Sequence, residues 1–190
     1  QVGTLEHDGE TIYYEVTGEG EPVVLSHGAG GNHAIWFQQV LVLARQFKVV
    51  TWDQRSFGRT TNRAGAAGPA TFAADLEALL DHLDITSAHL VGQSMGGWTT
   101  LRFAIDHPER VRSIVLADTP GGIMTAEVRH DVEQLGADAL AADDLAAWEH
   151  PAIGSTTSRE QPTTAFLYRQ INSVSAPRDP KIAARLFEVD

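Results

Sequence analysis

The sequence contains no cysteine among its 190 residues. This absence excludes a disulfide framework, a thiolate metal site and a cysteine nucleophile. Positive charge is also scarce: 14 lysines and arginines face 25 aspartates and glutamates, which gives a formal net charge of −11. A chain this acidic is repelled by phosphate backbones and by anionic membrane surfaces, so we expect no nucleic-acid partner.

Long apolar runs are missing as well. The longest, such as residues 114–117, is far shorter than a membrane span, so we expect no membrane partner. The first seven residues have neither the basic flank nor the apolar stretch of a signal peptide, which predicts a cytoplasmic protein. An apolar fraction of 43% and a charged fraction of 21% are typical of a globular domain.

Strand-like and helix-like segments alternate through the first two thirds of the chain. Apolar, β-branched segments that predict strands lie at 23–25, 48–53, 87–91 and 111–118. The clearest helical stripe between them consists of Phe72, Leu76, Leu79, Leu80 and Leu83. This alternation predicts an α/β fold: a doubly wound, mostly parallel sheet with helices on both faces and an antiparallel hairpin at its front edge.

The sequence pattern changes after residue 118, and no segment of residues 119–190 predicts a further strand. Short helices are predicted over 126–135, 140–148, 163–171 and 181–187, and turn-rich segments such as 151–162 separate them. We therefore predict two regions: an α/β core over 1–118 and a helical cap over 119–190.

The strongest chemical motif is Gly-Gln-Ser-Met-Gly at residues 92–96, which follows an apolar strand and precedes a helix. A strand that reverses into a helix within about one residue holds the central residue in a strained conformation and requires glycine two positions to either side. The central Ser94 would then lie at a helix N-terminus, where developing negative charge is favoured. The alternative is an ordinary glycine-rich turn with an incidental serine.

A second glycine-rich segment, residues 27–31, also ends a strand. Its small residues allow the backbone to approach a reacting carbonyl, so the amides of Ala29 and Met95 are candidates for a two-donor oxyanion hole. The first glycines and Asp53 also fit part of a dinucleotide-binding fingerprint, but that pattern needs glycine where the chain has His33.

Together these motifs resemble the α/β-hydrolase superfamily over about residues 10–120, in particular its small esterase and enol-lactonase branch with a helical cap. The resemblance implies that Ser94 is the nucleophile and that the Ala29 and Met95 amides form the oxyanion hole. Relatives that open epoxides or remove halide carry aspartate at the elbow, so Ser94 favours acyl transfer. In the Asp-x-Arg-Gly loop of this family Ser56 replaces the glycine, which predicts a small strain if φ is positive there.

The resemblance implies hydrolysis of a small carboxylic ester or lactone, with no metal and no organic cofactor. A homo-oligomer is left open. Together with Ala29 and Met95, we expect the apolar pocket wall to include Trp36, Trp98, Ile123 and Met124. Asp53 and Arg55 are expected to tie down their loop.

A serine hydroxyl needs a base, and the resemblance implies an acid and then a histidine later in the chain. His130 and His150 follow the elbow helix but lie in predicted cap helices or at their ends, so neither is expected to be the base. Asp118 is either the acid or a turn-capping residue; the acid otherwise lies beyond Asp190, with the histidine.

A physical argument also favours a core that is incomplete at its C-terminal end. Residues 111–118 have the composition of a central strand, and natural sheet edges are usually short, charged or covered. We therefore expect further strands, either later in the same protein or from another chain.

Two other functions stay open. The same elbow would serve thioester hydrolysis, C–C bond hydrolysis or perhydrolysis. The chain would otherwise be a non-catalytic member of the fold that binds a small molecule or a partner.

Overall fold

The computed structural model of the protein describes residues 1–123, 125–131, 134, 153, 155–174, 179 and 181–187. The chain separates into two compact units: residues 1–122 with 175–190, and residues 123–174. None of the helices in these described ranges combines the length and the apolar character that a bilayer span requires. The predicted boundary after residue 118 stays a prediction.

The first unit is built on a six-stranded sheet, which confirms the predicted α/β class. Its strands are β1 Val2–His7, β2 Glu10–Thr17, β3 Glu21–Ser26, β4 Phe47–Trp52, β5 Ala88–Gln93 and β6 Val111–Ala117. Their order across the sheet is β1-β2-β4-β3-β5-β6. Strands β4, β3, β5 and β6 are parallel, whereas β1 and β2 form the antiparallel hairpin predicted at the front edge.

Helices cover both faces of this sheet. In the first unit they are α1 Phe37–Leu43, α2 Pro69–His82, α3 Met95–Asp106 and α6 Ile182–Phe187. Side chains alternate along each strand, and Val24 of β3 packs in one core cluster with α2, while its neighbours Val23 and Leu25 pack in another with Trp36. The predicted stripe of α2 is buried: Leu76, Leu79 and Leu80 are fully buried in the first cluster, and Phe72 is fully buried in a third cluster with Phe57 and Met95.

The second unit contains α4 Ser155–Glu160 and α5 Pro162–Ser173, and residues 126–131 are also helical. Helix α5 confirms the helix predicted over 163–171. The expectation of a turn-rich spacer over 151–162 is wrong at α4: its serines and threonines have modest helix propensity, but α4 packs against α5 and gains tertiary contacts. The helix predicted over 140–148 lies outside the described residues.

Strand β6 is the last strand of the described sheet. It pairs with β5 on one side, and Ile114, Val115 and Leu116 are 36%, 52% and 38% exposed. The apolar strand therefore lies at the edge of the sheet in the part of the chain that is described.

A buried ion pair fixes the loop that follows β4. The Arg55 guanidinium donates two hydrogen bonds to the Asp75 carboxylate of α2, at 2.6 Å from Nε and 2.7 Å from Nη2. Both residues are buried. The bidentate geometry links the loop to α2 and agrees with the structural role expected for Arg55.

The carboxylate of Asp53 links the same loop to the segment that follows β3. Oδ1 accepts hydrogen bonds from the His33 amide at 2.6 Å and from the His33 ring at 2.8 Å, and Oδ2 accepts one from the Arg59 amide at 2.8 Å. Burial by itself would raise the pKa of Asp53. The hydrogen bond from the His33 side chain, the electrostatic attraction of His33 and the hydrogen bond from the Arg59 amide outweigh burial, so the pKa of Asp53 lies below its ordinary value.

Replacing Arg55 by methionine should destabilise the protein strongly, because Asp75 would be left as a buried, unpaired carboxylate. We expect Arg55→Met to lower the free energy of unfolding in urea by about 2–4 kcal/mol, because His7 at 3.8 Å compensates the remaining carboxylate only in part. The matched control is Arg102→Met, which breaks an exposed ion pair with Asp106 and should cost less than about 1 kcal/mol. Equal losses in the two variants would contradict a structural role for the buried pair.

Replacing Asp53 by asparagine should change how stability depends on acidity. Because folding lowers the pKa of Asp53, its contribution is present above the ordinary value of 3.8 and is lost as the pH falls through the folded-state pKa. We therefore expect Asp53→Asn to be less stable at pH 7 and to lose less stability between about pH 5 and pH 2. Urea unfolding across this range measures both effects. As a control, replacing the exposed Glu19 by glutamine should leave the dependence of stability on pH unchanged. If Asp53→Asn also left that dependence unchanged, ionised Asp53 would not contribute to stability as assigned.

Candidate active site

The turn between β5 and α3 consists of a single residue, Ser94. Its backbone has φ 50° and ψ −121°, a conformation that costs a residue with a side chain on the order of 1–3 kcal/mol. The strained elbow predicted from the motif is confirmed. Ser56 of the loop after β4 also has a positive φ, 72°, which confirms the strain expected where serine replaces glycine.

Both glycines of the motif are required by close packing. A Cβ atom on Gly92 would collide with the carbonyl oxygen of Gly96 and with the hydroxyl of Thr100. A Cβ atom on Gly96 would collide with the carbonyl oxygen of Ser26, the last residue of β3. The first turn of α3 therefore packs directly against the end of β3.

The backbone of Ser94 is held on both sides. Its amide donates to the carbonyl of Ala117 at 3.0 Å, and its carbonyl accepts from the Gly97 amide at 2.8 Å. The hydroxyl does not cap α3, and none of the described residues is recorded as its hydrogen-bond partner. A partly buried hydroxyl at the N-terminus of a twelve-residue helix lies where the helix dipole favours a negative charge.

The loop His27–Ala29, which we call the oxyanion loop, lies against this elbow. A Cβ atom built on Gly28 would be 3.0 Å from the Cβ of Ser94, so the two residues are in close contact. Ala29 packs against the cluster that contains Met95 and Phe57. The structure thus brings the two predicted amide donors to the same place as Ser94, and their role in binding an oxyanion stays a prediction.

His27 supports the oxyanion loop. The backbone amide of Gln54 donates to Nε2 of His27 at 3.1 Å, so the ring proton lies on Nδ1. Nδ1 in turn donates to the Gly28 carbonyl at 2.8 Å. Because both ring nitrogens are engaged and the ring is fully buried, His27 is poorly suited to accept a proton from Ser94.

The other described histidines are also placed elsewhere. His130 is exposed, and His150 lies outside the described residues. The remaining five contact carboxylates, a tyrosine or a serine hydroxyl: His7, His33, His82, His89 and His107. None of the described histidines is therefore hydrogen-bonded to the Ser94 hydroxyl.

The predicted pocket residues are distributed over different parts of the structure. Trp98 is buried in α3, and its Nε1 donates to the Leu186 carbonyl of α6 at 3.0 Å. Trp36 packs in the core cluster of Val23 and Leu25, Ile123 is 61% exposed in the second unit, and Met124 lies outside the described residues. Their assignment to a pocket wall stays a prediction.

Asp118, the candidate acid, follows the end of β6 with a positive φ of 51° and an exposed side chain. Its neighbour Ala117 accepts the hydrogen bond from the Ser94 amide, so Asp118 is one residue from a contact with the elbow. This placement fits an acid near the nucleophile and equally fits a residue in a tight turn.

A cavity of about 580 Å³ lies beside the loop that follows β4. It is lined by Ser56, Gly58, Arg59, Thr60, Thr61, Asn62, Gly65, Asp179 and Lys181. Ser94 does not line this cavity, and the lining residue Asp179 forms hydrogen bonds with two other lining residues, Ser56 and Asn62.

Sequence reasoning missed two residues that hold the oxyanion loop. The side chain of Gln93 accepts a hydrogen bond from the Gly28 amide at 3.1 Å, and the side chain of Gln54 donates to the His27 carbonyl at 2.7 Å. Gln93 occupies a variable position of the elbow motif, and Gln54 follows the more conspicuous Asp53. The available signal was their position at or just after the ends of β5 and β4, the two strands that flank β3.

Comparison with known proteins places this site in a family. The family model for the alpha/beta hydrolase fold matches residues 21–178, which is well over half of the chain. A protein of Azorhizobium caulinodans that is provisionally named carbamate hydrolase RutD is 34% identical over 113 residues, which cover 59% of this chain and 43% of that protein. The chain thus spans less than half the length of the curated relatives that it matches.

Solved structures agree over nearly the whole chain. Est816, described as an N-acyl homoserine lactone degrading enzyme, is 28% identical with a TM-score of 0.72, covering 98% of this chain and 70% of Est816. A thermophilic esterase from Thermogutta terrifontis is 26% identical with a TM-score of 0.78, covering 99% of this chain and 72% of the esterase. On the family match, the sheet and the serine elbow, the chain belongs to the α/β-hydrolase fold family, and the relatives named here are hydrolases.

Proposed function

We propose that this protein hydrolyses a small carboxylic ester or lactone through an acyl intermediate on Ser94. The observation that carries the proposal is the strained one-residue elbow, which holds Ser94 at the N-terminus of α3 and in contact with Gly28 of the oxyanion loop. The similarity to a lactone-degrading enzyme and to an esterase supports this substrate class.

The proposed reaction has two stages. The Ser94 oxygen adds to the substrate carbonyl carbon while a base takes the hydroxyl proton, and the carbonyl oxygen becomes an oxyanion. The amides of Ala29 and Met95 would hold that oxyanion, where a single donor contributes about 10²–10³ in turnover. Collapse breaks the ester C–O bond while the base returns its proton to the leaving alkoxide oxygen, and water then hydrolyses the acyl-serine to the carboxylic acid and restores the Ser94 hydroxyl.

The base and the acid are part of the proposal. The described histidines are engaged elsewhere or exposed, so we propose that the base is contributed by a residue outside the described part of the chain. Asp118 and a residue outside the described part of the chain stay alternative acids.

Thioester, C–C bond and peracid chemistry need the same elbow and are the nearest alternatives. A non-catalytic member of the fold is the alternative of a different class. The two classes differ in one property: only a catalytic serine is activated, and an activated serine reacts with a fluorophosphonate.

A fluorophosphonate probe should therefore label the purified protein at Ser94, as located by mass spectrometry of the labelled peptide. Ser94→Ala should abolish labelling and lower the turnover of p-nitrophenyl butyrate by at least about 10³-fold, with the free energy of unfolding in urea unchanged, because alanine keeps the Cβ atom and with it the strain at the elbow. The matched control is Ser113→Ala, on exposed strand β6, which should keep both activities. Labelling at another serine, or unchanged turnover in Ser94→Ala, would refute the nucleophile assignment.

A further inference from the structure

The oxyanion loop is braced by a side chain from the elbow itself. Gln93 is the last residue of β5 and directly precedes Ser94. Its side-chain Oε1 accepts the hydrogen bond of the Gly28 amide at 3.1 Å across the boundary between β5 and β3. The residue that precedes the nucleophile thus holds the loop that carries one of the proposed oxyanion donors.

The loop is held from the opposite side by Gln54. Its backbone amide donates to the His27 ring at 3.1 Å, and its side-chain Nε2 donates to the His27 carbonyl at 2.7 Å. The Thr99 hydroxyl of α3 donates in turn to the Gln54 side-chain oxygen. Gln54, His27 and Thr99 are fully buried, so these bonds are not exchanged with water.

Steric contact makes the position of the loop depend on Gln93. A Cβ atom on Gly28 would collide with Oε1 of Gln93 and would approach Ser94 Cβ to 3.0 Å. The Gly28 backbone is therefore in contact with both side chains, and the Gln93 bond sets how far the loop lies from the elbow. Ala29 is the next residue, so the same bond sets where its amide lies relative to that of Met95.

We propose that Gln93 is a positioning residue that holds the Ala29 amide at the distance from Met95 at which both amides can bind one oxyanion. This inference rests on the proposed function of Ser94 and adds a residue to it. Gln93 acts through Gly28 and does not touch the substrate. A small displacement of a preorganised donor weakens transition-state binding more than substrate binding, so its effect belongs in kcat.

The test replaces Gln93 by leucine, which keeps most of the volume and removes the acceptor. We expect Gln93→Leu to lower kcat for p-nitrophenyl butyrate by about 10-fold, less than the 10²–10³-fold lost when a donor is removed, with KM changed less than about twofold. Affinity for a trifluoromethyl ketone, which forms an oxyanion on the serine, should fall by the same factor as kcat/KM. Gln93→Met should behave like Gln93→Leu, and the exposed Gln39→Leu of α1 is the control that should change nothing.

Amide hydrogen exchange gives a readout that needs no activity. The Gly28 amide should exchange at least about 10-fold faster in Gln93→Leu than in the wild type, because it loses its acceptor, while the amides of the α2 core stay protected. If the wild type neither hydrolyses esters nor reacts with a fluorophosphonate, the proposed function of Ser94 is wrong. In that case the exchange rate of the Gly28 amide hydrogen still shows whether Gln93 holds the oxyanion loop.

Three results would overturn the inference. Unchanged exchange at Gly28 in both Gln93 variants would show that the bond does not hold the loop. In an active enzyme, an unchanged kcat would show that the bond does not set the donor position. A rise in KM with kcat unchanged would show that Gln93 contacts the substrate instead.

Discussion

The geometry of the site depends on one constraint, the reversal of β5 into α3 within a single residue. Ser94 adopts a positive φ, and such a conformation persists only where the surrounding structure over-determines it. Here the surroundings are close contacts that exclude any Cβ at Gly92 and Gly96, and a backbone bond from Ser94 to Ala117 of the neighbouring strand. The partly buried position of the Ser94 hydroxyl at the N-terminus of α3 and its approach to the oxyanion loop both follow from this turn.

The contact between Gly96 and the end of β3 also fixes the loops around the elbow. Because Gly96 packs on the Ser26 carbonyl, the end of β3 cannot move independently of α3. The loop after β4 is then fixed to β3 by Gln54 and to α2 by the pair of Arg55 and Asp75. Hydrogen bonds therefore connect the ends of β3, β4 and β5. Each loop near Ser94 is held by groups from another strand or helix.

The features that were predicted from the sequence depend on residues close together in the chain, whereas the features that were missed depend on contacts between separate segments. The strand and helix alternation, the stripe of α2, the elbow and the strain at Ser56 depend on local pattern, and each is confirmed. The brace formed by Gln93 and Gln54 depends on contacts between residues 65 and 27 positions apart, which no local pattern encodes. Helix α4 was missed for a related reason, since its residues favour a helix only when α5 packs beside them.

The choice of neutral groups next to Ser94 has a physical reason. A carboxylate at the position of Gln93 would also accept the Gly28 bond, but its charge would repel an oxyanion formed a few ångströms away. His27 is held by its two bonds in a neutral tautomer, so it adds no charge either. The buried carboxylates of Asp75 and Asp53 are each hydrogen-bonded to a basic side chain, that of Arg55 and that of His33. At Ser94 the aligned amide dipoles of the α3 N-terminus favour a negative charge, and this is the preorganisation that the proposed oxyanion would require.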